Sequence, residues 1–164
     1  MSTLRVDNLR GQTADGKDRY VTQVKQFVLT TADSITSTSF IDSSVTLSIT
    51  PSSVTNKIRA TVNGYFAQNF WHASPYFRLR RDSTQISFNE GSHWPRVQYD
   101  STRDSESGLS LVMDILDSPA STSSVTYTLQ VRTTHASYPV YLNRTVAVAG
   151  PMAQTTLTLM EIAQ

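Results

Sequence analysis

The amino-acid sequence predicts an all-β protein, folded as an antiparallel β-sandwich or barrel. Apolar residues recur at every second position along most of the chain, which is the period of a strand with one buried face. Serine and threonine supply 44 of the 164 residues; threonine suits pleated strands and serine suits turns. Short strand-like runs separated by turn signals recur roughly every 10 residues, a spacing typical of sandwiches and barrels.

The strand pattern begins after residue 20 and continues almost to the end of the chain. In chain order the predicted strands are YVTQVKQFVL, VTLSIT, KIRATVNGYF, YFRLRRD, TQISF, LSLVMDIL, SVTYTLQVR, YPVYLNR and TTLTLMEI, with a further short candidate at RVQY. In VTLSIT, for example, Val45, Leu47 and Ile49 alternate with hydroxyl side chains. No segment shows the 3.6-residue period of an amphipathic helix.

SVTYTLQVR is the most regular of these strands. We expect Val125, Tyr127, Leu129 and Val131 to face the core. On the opposite face we expect Thr126, Thr128, Gln130 and Arg132. A slip of one residue in strand register would exchange the two faces completely.

Three regions interrupt the strand pattern. Residues 1–20 are polar and are predicted to form an extended N-terminal arm, which leaves residues 21–164 as one β-sandwich domain. Leu4, Val6 and Leu9 are the apolar residues with which the arm is expected to attach to a partner. Residues 67–75 concentrate aromatic side chains in a predicted loop, and residues 89–107 form the longest polar excursion.

Composition narrows the classes of function. The 14 basic and 13 acidic residues leave a net charge of +1, which argues against binding nucleic acid through bulk charge. The absence of cysteine excludes disulfides and thiolate metal sites. No apolar run approaches the roughly 20 residues that span a bilayer, and the N-terminus lacks the apolar core of a signal peptide. We therefore expect neither a nucleic-acid nor a membrane partner.

The histidines and aspartates, which often act in catalysis, do not occur at spacings typical of an active site. His72, His93 and His135 fall in predicted loops, without a second histidine at metal-ligand spacing. Asp114 and Asp117 are three residues apart in one predicted strand, so they should point to opposite faces instead of forming a catalytic pair. We expect Asp114 on the polar face and Asp117 in a turn, bonded to local backbone. The prediction is therefore no catalytic, metal or cofactor site.

The charge cluster RLRR and the loop aromatics are the remaining candidates for recognition. A strand through RLRR places Arg78 and Arg80 on one face, where they could meet carboxylates of a partner. Trp71 and Trp94 could anchor an interface as buried rings, or stack on sugars. Alternatively, the arginines form a solvated strand face and the tryptophans are anchors of their own core.

Both ends of the chain resemble a family of bacteriophage virion and fibre proteins, particularly those of marine and cyanobacterial phages. MSTLRVDNLRGQTADG is similar to their opening, in which a short L-x-V-D-x-L/I segment precedes the globular part. The similarity continues through STSFIDSSVTLSITPSSVTNKI, LRRDST, LDSPASTSSVTYTLQVRT, YLNRT and TLTLMEIAQ. It covers nearly the whole chain in order and is weakest over residues 65–107.

This resemblance implies a jelly-roll-like β-sandwich, usually trimeric, that is assembled in the host cytoplasm and resides in the virion. It implies no catalytic residues and no cofactor. The first hypothesis is a head decoration or cement protein that binds other virion proteins, such as the major capsid protein. The first alternative is a tail-fibre or receptor-binding module that contacts host glycans. The second is a hydrolase acting on surface polysaccharide, and no residue pattern in the sequence supports it.

Overall fold

The computed structural model describes residues 20–68, 73–86, 108–147 and 150–164. These ranges contain ten β-strands and no helix, which confirms the predicted all-β class. The strands are β1 (Val21–Leu29), β2 (Asp33–Ile35), β3 (Ile41–Ile49), β4 (Lys57–Ala67), β5 (Pro75–Arg81), β6 (Thr84–Gln85), β7 (Gly108–Asp117), β8 (Val125–Thr133), β9 (Val140–Leu142) and β10 (Thr155–Ile162). Every predicted strand in the described ranges is present, whereas β2 was not predicted.

The first sheet is organised around β4. Strand β10 pairs with one edge of β4 and β1 pairs with β10, while β7 pairs with the opposite edge of β4. Strand β9 follows β10 along the same edge of β4, where it pairs with Phe66 and Ala67, and β2 pairs with β9. All these pairs are antiparallel.

Asn143 lies at the junction where β9 and β10 share one edge of β4. Its side-chain amide donates to the carbonyls of Leu29 and Thr31, and its Oδ1 accepts from Thr155, at 2.6, 3.0 and 2.6 Å. Its backbone nitrogen donates to the carbonyl of Tyr65, and its φ of 61° is tolerated by asparagine better than by most residues. One buried side chain thus joins the ends of β1, β9 and β10.

The second sheet has the order β3-β8-β5-β6, again antiparallel throughout. Its buried face and that of the first sheet form a single hydrophobic core. Phe66 and Phe77 meet edge to face across this core, with ring centroids 4.8 Å apart. The fully buried members include Ile58, Ala60, Val62, Phe66, Leu157 and Leu159 from the first sheet, and Val45, Ile49, Leu79, Tyr127, Leu129 and Val131 from the second.

The inward and outward residues of β8 are those predicted, but the outward residues are more buried than expected. Val125, Tyr127, Leu129 and Val131 are buried in the core as expected. The residues on the opposite face are not left in solvent, because Thr128 and Gln130 are only 6% and 8% exposed. Strand β8 has a neighbour on each side, and side chains of both neighbours bond to this face: Thr46 of β3 to Thr128, and Arg78 of β5 and Asp42 of β3 to Gln130.

Glu161 is a buried carboxylate at one end of the core. It accepts hydrogen bonds from Gln23 Nε2, from the backbone nitrogen and hydroxyl of Ser52, and from Asn56 Nδ2, at 2.6–2.8 Å. Burial acts to raise the pKa of Glu161, but the hydrogen bonds from Asn56, Gln23 and Ser52 outweigh it and lower the pKa to about 2. The carboxylate therefore ties β1 and the β3–β4 turn to β10.

We predict that alanine substitutions on the two faces of β8 differ in cost. Leu129→Ala removes a fully buried side chain from the core and should lower the free energy of unfolding by on the order of 2–5 kcal/mol. Thr128→Ala removes one hydroxyl, hydrogen-bonded to Thr46 at 3.0 Å, and should cost about 1 kcal/mol. Urea denaturation of both variants measures the difference, and equal losses would contradict the assigned faces.

A second prediction concerns Glu161 and pH. Because its pKa in the folded protein lies below the ordinary 4.5, the stabilisation by this carboxylate is complete above that pH and is lost as the pH falls towards 2. Glu161→Gln replaces a charged acceptor of several hydrogen bonds by a neutral amide and should destabilise the protein by on the order of 1–3 kcal/mol at pH 7. The difference from the parent should shrink towards pH 2. Denaturant titrations at several pH values test this, and a pH-independent difference would show that ionisation is not what matters.

Candidate functional site

The outer face of the second sheet carries a cluster of charged side chains on neighbouring strands. We call this surface the arginine face, after its three cations Arg78, Arg80 and Arg132. The period of two places Arg78 and Arg80 of β5 on the side opposite Phe77 and Leu79, as predicted. Arg132 belongs to β8, directly across from Tyr76.

A continuous network of hydrogen bonds runs across the arginine face. Arg80 pairs with Asp42 of β3 at 2.5 Å, and Gln130 Nε2 donates to the same carboxylate at 2.7 Å. Arg78 donates to the amide oxygens of Gln130 and Gln85, at 2.7 and 3.0 Å. Both arginines that the sequence singled out as partner contacts therefore have hydrogen-bond partners within their own chain.

Arg132 is held differently from the other two arginines. Its guanidinium carbon lies 4.1 Å from the ring centroid of Tyr76 and 5.3 Å from that of Phe40. Arg78 lies 4.1 Å from the same Phe40 ring, so two cations share one aromatic side chain. In the described part of the chain no acceptor is hydrogen-bonded to Arg132, and its side chain is partly exposed. Its donors are thus oriented by ring stacking and remain available.

The fourth arginine of RLRR lies away from this face. Arg81 points between the sheets, where it pairs with Asp117 at 2.5 Å, and the same carboxylate oxygen accepts from the hydroxyl of Tyr127 at 2.7 Å. Burial is the main cause that raises the pKa of Tyr127, and the hydrogen bond to Asp117 adds to it. The expectation that Asp117 binds local turn backbone was wrong, because its position at the end of β7 directs it towards β5 and β8.

Asp114 and Asp117 point to opposite faces, as their spacing predicted. Asp114 lies on the exposed face of the first sheet, where Arg59 donates to both of its oxygens at 2.9 and 2.5 Å. The hydrogen bond with Arg59 lowers the pKa of Asp114 and raises that of Arg59. The two carboxylates therefore belong to separate ion pairs and do not form a catalytic pair.

Several predicted recognition residues lie outside the described residues. These are Leu4, Val6 and Leu9 of the arm, together with Trp71 and Trp94. Of the three histidines only His135 lies in the described ranges, where it occupies an exposed loop after β8, as expected. Sequence reasoning placed Arg132 on the polar face of its strand but did not recognise it as a candidate, because nothing nearby in sequence marks its aromatic neighbours.

The described residues contain no group of three or more side chains that could hold a metal ion. They also contain no helix long and apolar enough to cross a membrane.

Comparison with known proteins does not identify the chain. No protein-family model matches it, and no curated protein matches it either.

The two aspartates of β7 form one exposed and one partly buried ion pair, so they test how burial affects the contribution of an ion pair to stability. We predict that Asp117→Asn lowers the free energy of unfolding by on the order of 3 kcal/mol, because it leaves Arg81 and Tyr127 without their shared acceptor between the sheets. Asp114→Asn breaks an exposed pair and should change stability much less. Thermal or urea unfolding compares the variants, and equal losses would show that burial does not control these pairs.

Proposed function

We propose that the protein is a non-enzymatic structural protein of a bacteriophage particle, a trimeric jelly-roll module that binds the head surface as a decoration or cement protein. The proposal joins the resemblance of both chain ends to virion proteins with the physical properties of the described sheets. In this role the protein offers rigid surfaces to its neighbours, and its charged groups hold these surfaces in shape.

The strand order supports the jelly-roll form. Apart from the short β2 and β9, eight strands lie in two sets of four, ordered β1-β10-β4-β7 and β3-β8-β5-β6. From β4 onwards the chain passes to the second sheet for β5 and β6, and then returns to the first for β7. Eight strands alternating between two sheets in this way are what a pair of Greek keys would produce.

The two edges of the first sheet differ in a way that favours assembly at one of them, and this observation carries the proposal. At the β1 edge, Lys25 donates to the carbonyl of Ser48 in β3, and a lysine on an edge strand opposes pairing with another strand. At the β7 edge no described residue pairs with the outer side of the strand. Val112 and Leu116 of β7 are 58% and 55% exposed. An unpaired strand of ten residues with exposed aliphatic side chains on its outer face is suited to contact another protein chain. Strand β1 exposes Val24 to a similar extent, so the lysine is what distinguishes the two edges.

The inner carboxylates support a structural role over an enzymatic one. Glu161 accepts hydrogen bonds from three residues, and Asp117 accepts from Arg81 and Tyr127. Both carboxylates thereby join strands of the fold, an arrangement that stabilises the sheets. A receptor-binding module that contacts host glycans remains the second candidate, because residues 67–107 hold both tryptophans and are where the resemblance is weakest.

The proposal predicts a trimer whose assembly depends on the β7 edge. Sedimentation velocity at micromolar concentration should give three times the monomer mass of 18.2 kDa. Val112→Lys should dissociate the trimer by adding a charge to the open edge, whereas Val24→Lys, on the already protected β1 edge, should leave it intact. A stable monomer for the parent protein would contradict the proposal.

The position in the particle distinguishes the two candidate roles. Cryo-electron microscopy of purified particles that carry the protein should place many copies over the head. A few copies at the tail tip would instead favour the receptor-binding role, and a glycan array would then test for its sugar.

A further inference from the structure

We propose that the N-terminal arm of one copy of the chain adds as a strand to the β7 edge of a neighbouring copy, and that three copies close a ring by this contact. The inference deepens the proposed function and rests on it for the number of copies. It adds the segment that occupies the open edge, which is residues 3–7 of the next copy.

Strand β7 leaves both hydrogen-bonding groups and apolar side chains without a neighbour along its outer edge. Among the described residues it pairs with β4 alone, so alternate N–H and C=O groups point away from the sheet. Leu109, Met113 and Ile115 face the core but are only partly buried. On the other face Val112 and Leu116 are exposed. An added strand with apolar residues at alternate positions would continue the ladder and cover this margin of the core.

The opposite edge of the first sheet lies beside the second sheet. Lys25 Nζ of β1 donates to the carbonyl of Ser48 at 3.3 Å, and Gln23 Nε2 donates to the carbonyl of Thr50 at 2.7 Å. In the described part of the chain, the only side chain of β7 that is hydrogen-bonded to the second sheet is Asp117, at the end of the strand. Strand β7 is therefore the edge of the first sheet that is open to a further strand.

Threefold symmetry determines what kind of segment can fill this edge. Two β7 edges that pair with each other form a twofold contact, which is complete in a dimer. A ring of three needs head-to-tail contacts, in which one patch of each copy meets a different patch of the next copy. For the proposed trimer, the partner of β7 must therefore be another segment of the chain.

The arm has the alternation that the β7 edge requires. The arm itself lies outside the described residues, so its pattern is taken from the sequence. In extended structure Leu4 and Val6 share one face, and Thr3, Arg5 and Asp7 share the other. With Leu4 and Val6 over the partly buried side chains of β7, the polar residues between them lie on the outer face of the sheet.

The arm is also long enough to reach a second copy. It joins β1 at Tyr20, whose carbonyl accepts from the backbone nitrogen of Ala163. The strand registers place the start of β1 and the end of β7 at the same end of the sheet. These two strands are roughly 15 Å apart, at three strand spacings. The 14 residues from Val6 to Tyr20 span up to about 45 Å when extended, which exceeds that width severalfold.

The experiment links the arm to the β7 edge covalently in the full-length protein. Because the chain contains no cysteine, Arg5→Cys and Val112→Cys introduce its only two thiols, both on the expected outer face. A short bismaleimide should convert this double variant into a species of three times the monomer mass of 18.2 kDa in denaturing electrophoresis. Arg5→Cys with Val24→Cys is the matched control and should give no such species, since Val24 is 56% exposed and Val112 is 58% exposed.

A second measurement does not depend on cross-linking. Val6→Lys places a charge on the face of the arm that contacts the core margin, and should shift the species seen in sedimentation velocity from trimer to monomer. Thr3→Lys adds the same charge at a position of the opposite alternation, and should leave the trimer intact.

The contrary outcomes separate this inference from the proposed function. A trimer that resists Val6→Lys and gives no covalent trimer would overturn the inference and leave the proposed trimer standing. Cross-links confined to single chains would show that the arm covers its own β7 edge, and covalent dimers alone would show a twofold contact; either result overturns the ring. A covalent trimer of a protein located at the tail tip would contradict only the proposed role on the head.

Discussion

The register of β4 is the constraint on which the first sheet and the core depend. This strand pairs with β7 along one edge and with both β10 and β9 along the other, so its position determines where three other strands lie. Its alternation directs Ile58, Ala60 and Val62 into the core. A shift of one residue would turn these side chains outward and break all three pairings together, which is why a single register is strongly favoured.

Polar groups complete the packing wherever the hydrophobic core ends. Glu161 closes one end of the core, Asn143 holds the junction of β9 and β10, and Asp117 joins β7 to the second sheet. Each of these side chains makes several hydrogen bonds. These bonds offset the free energy of removing the polar atoms from water, which a buried polar atom without a partner would not recover. These clusters fix the positions of the strands at the margins of the core.

The two outer surfaces differ in chemistry. On the first sheet, aliphatic side chains such as Val24, Val112 and Leu116 are exposed on the edge strands. On the second sheet, arginines and aromatic rings lie over a hydrogen-bonded layer that contains Thr128 and Gln130. The exposed aliphatic side chains of the first sheet are compatible with the contact between copies that the proposed function requires.

The sequence by itself determined the all-β class, nearly every described strand and the inward face of strands such as β8, because a period of two is a local property that solvent and core impose on each strand separately. It could not determine which strands are neighbours. Asp42 lies 38 residues from Arg80, and Asp117 lies 36 residues from Arg81, so these pairs exist only because the sheets bring distant strands together. The contacts of Arg132 could not be predicted either, because Arg132, like Arg78 and Arg80, occupies a polar position in an alternating strand. Only the tertiary structure shows that Arg80 pairs with Asp42 and that Arg132 stacks on Tyr76 of β5. Hydrogen bonds and ring contacts depend on distance in space and not on separation along the chain.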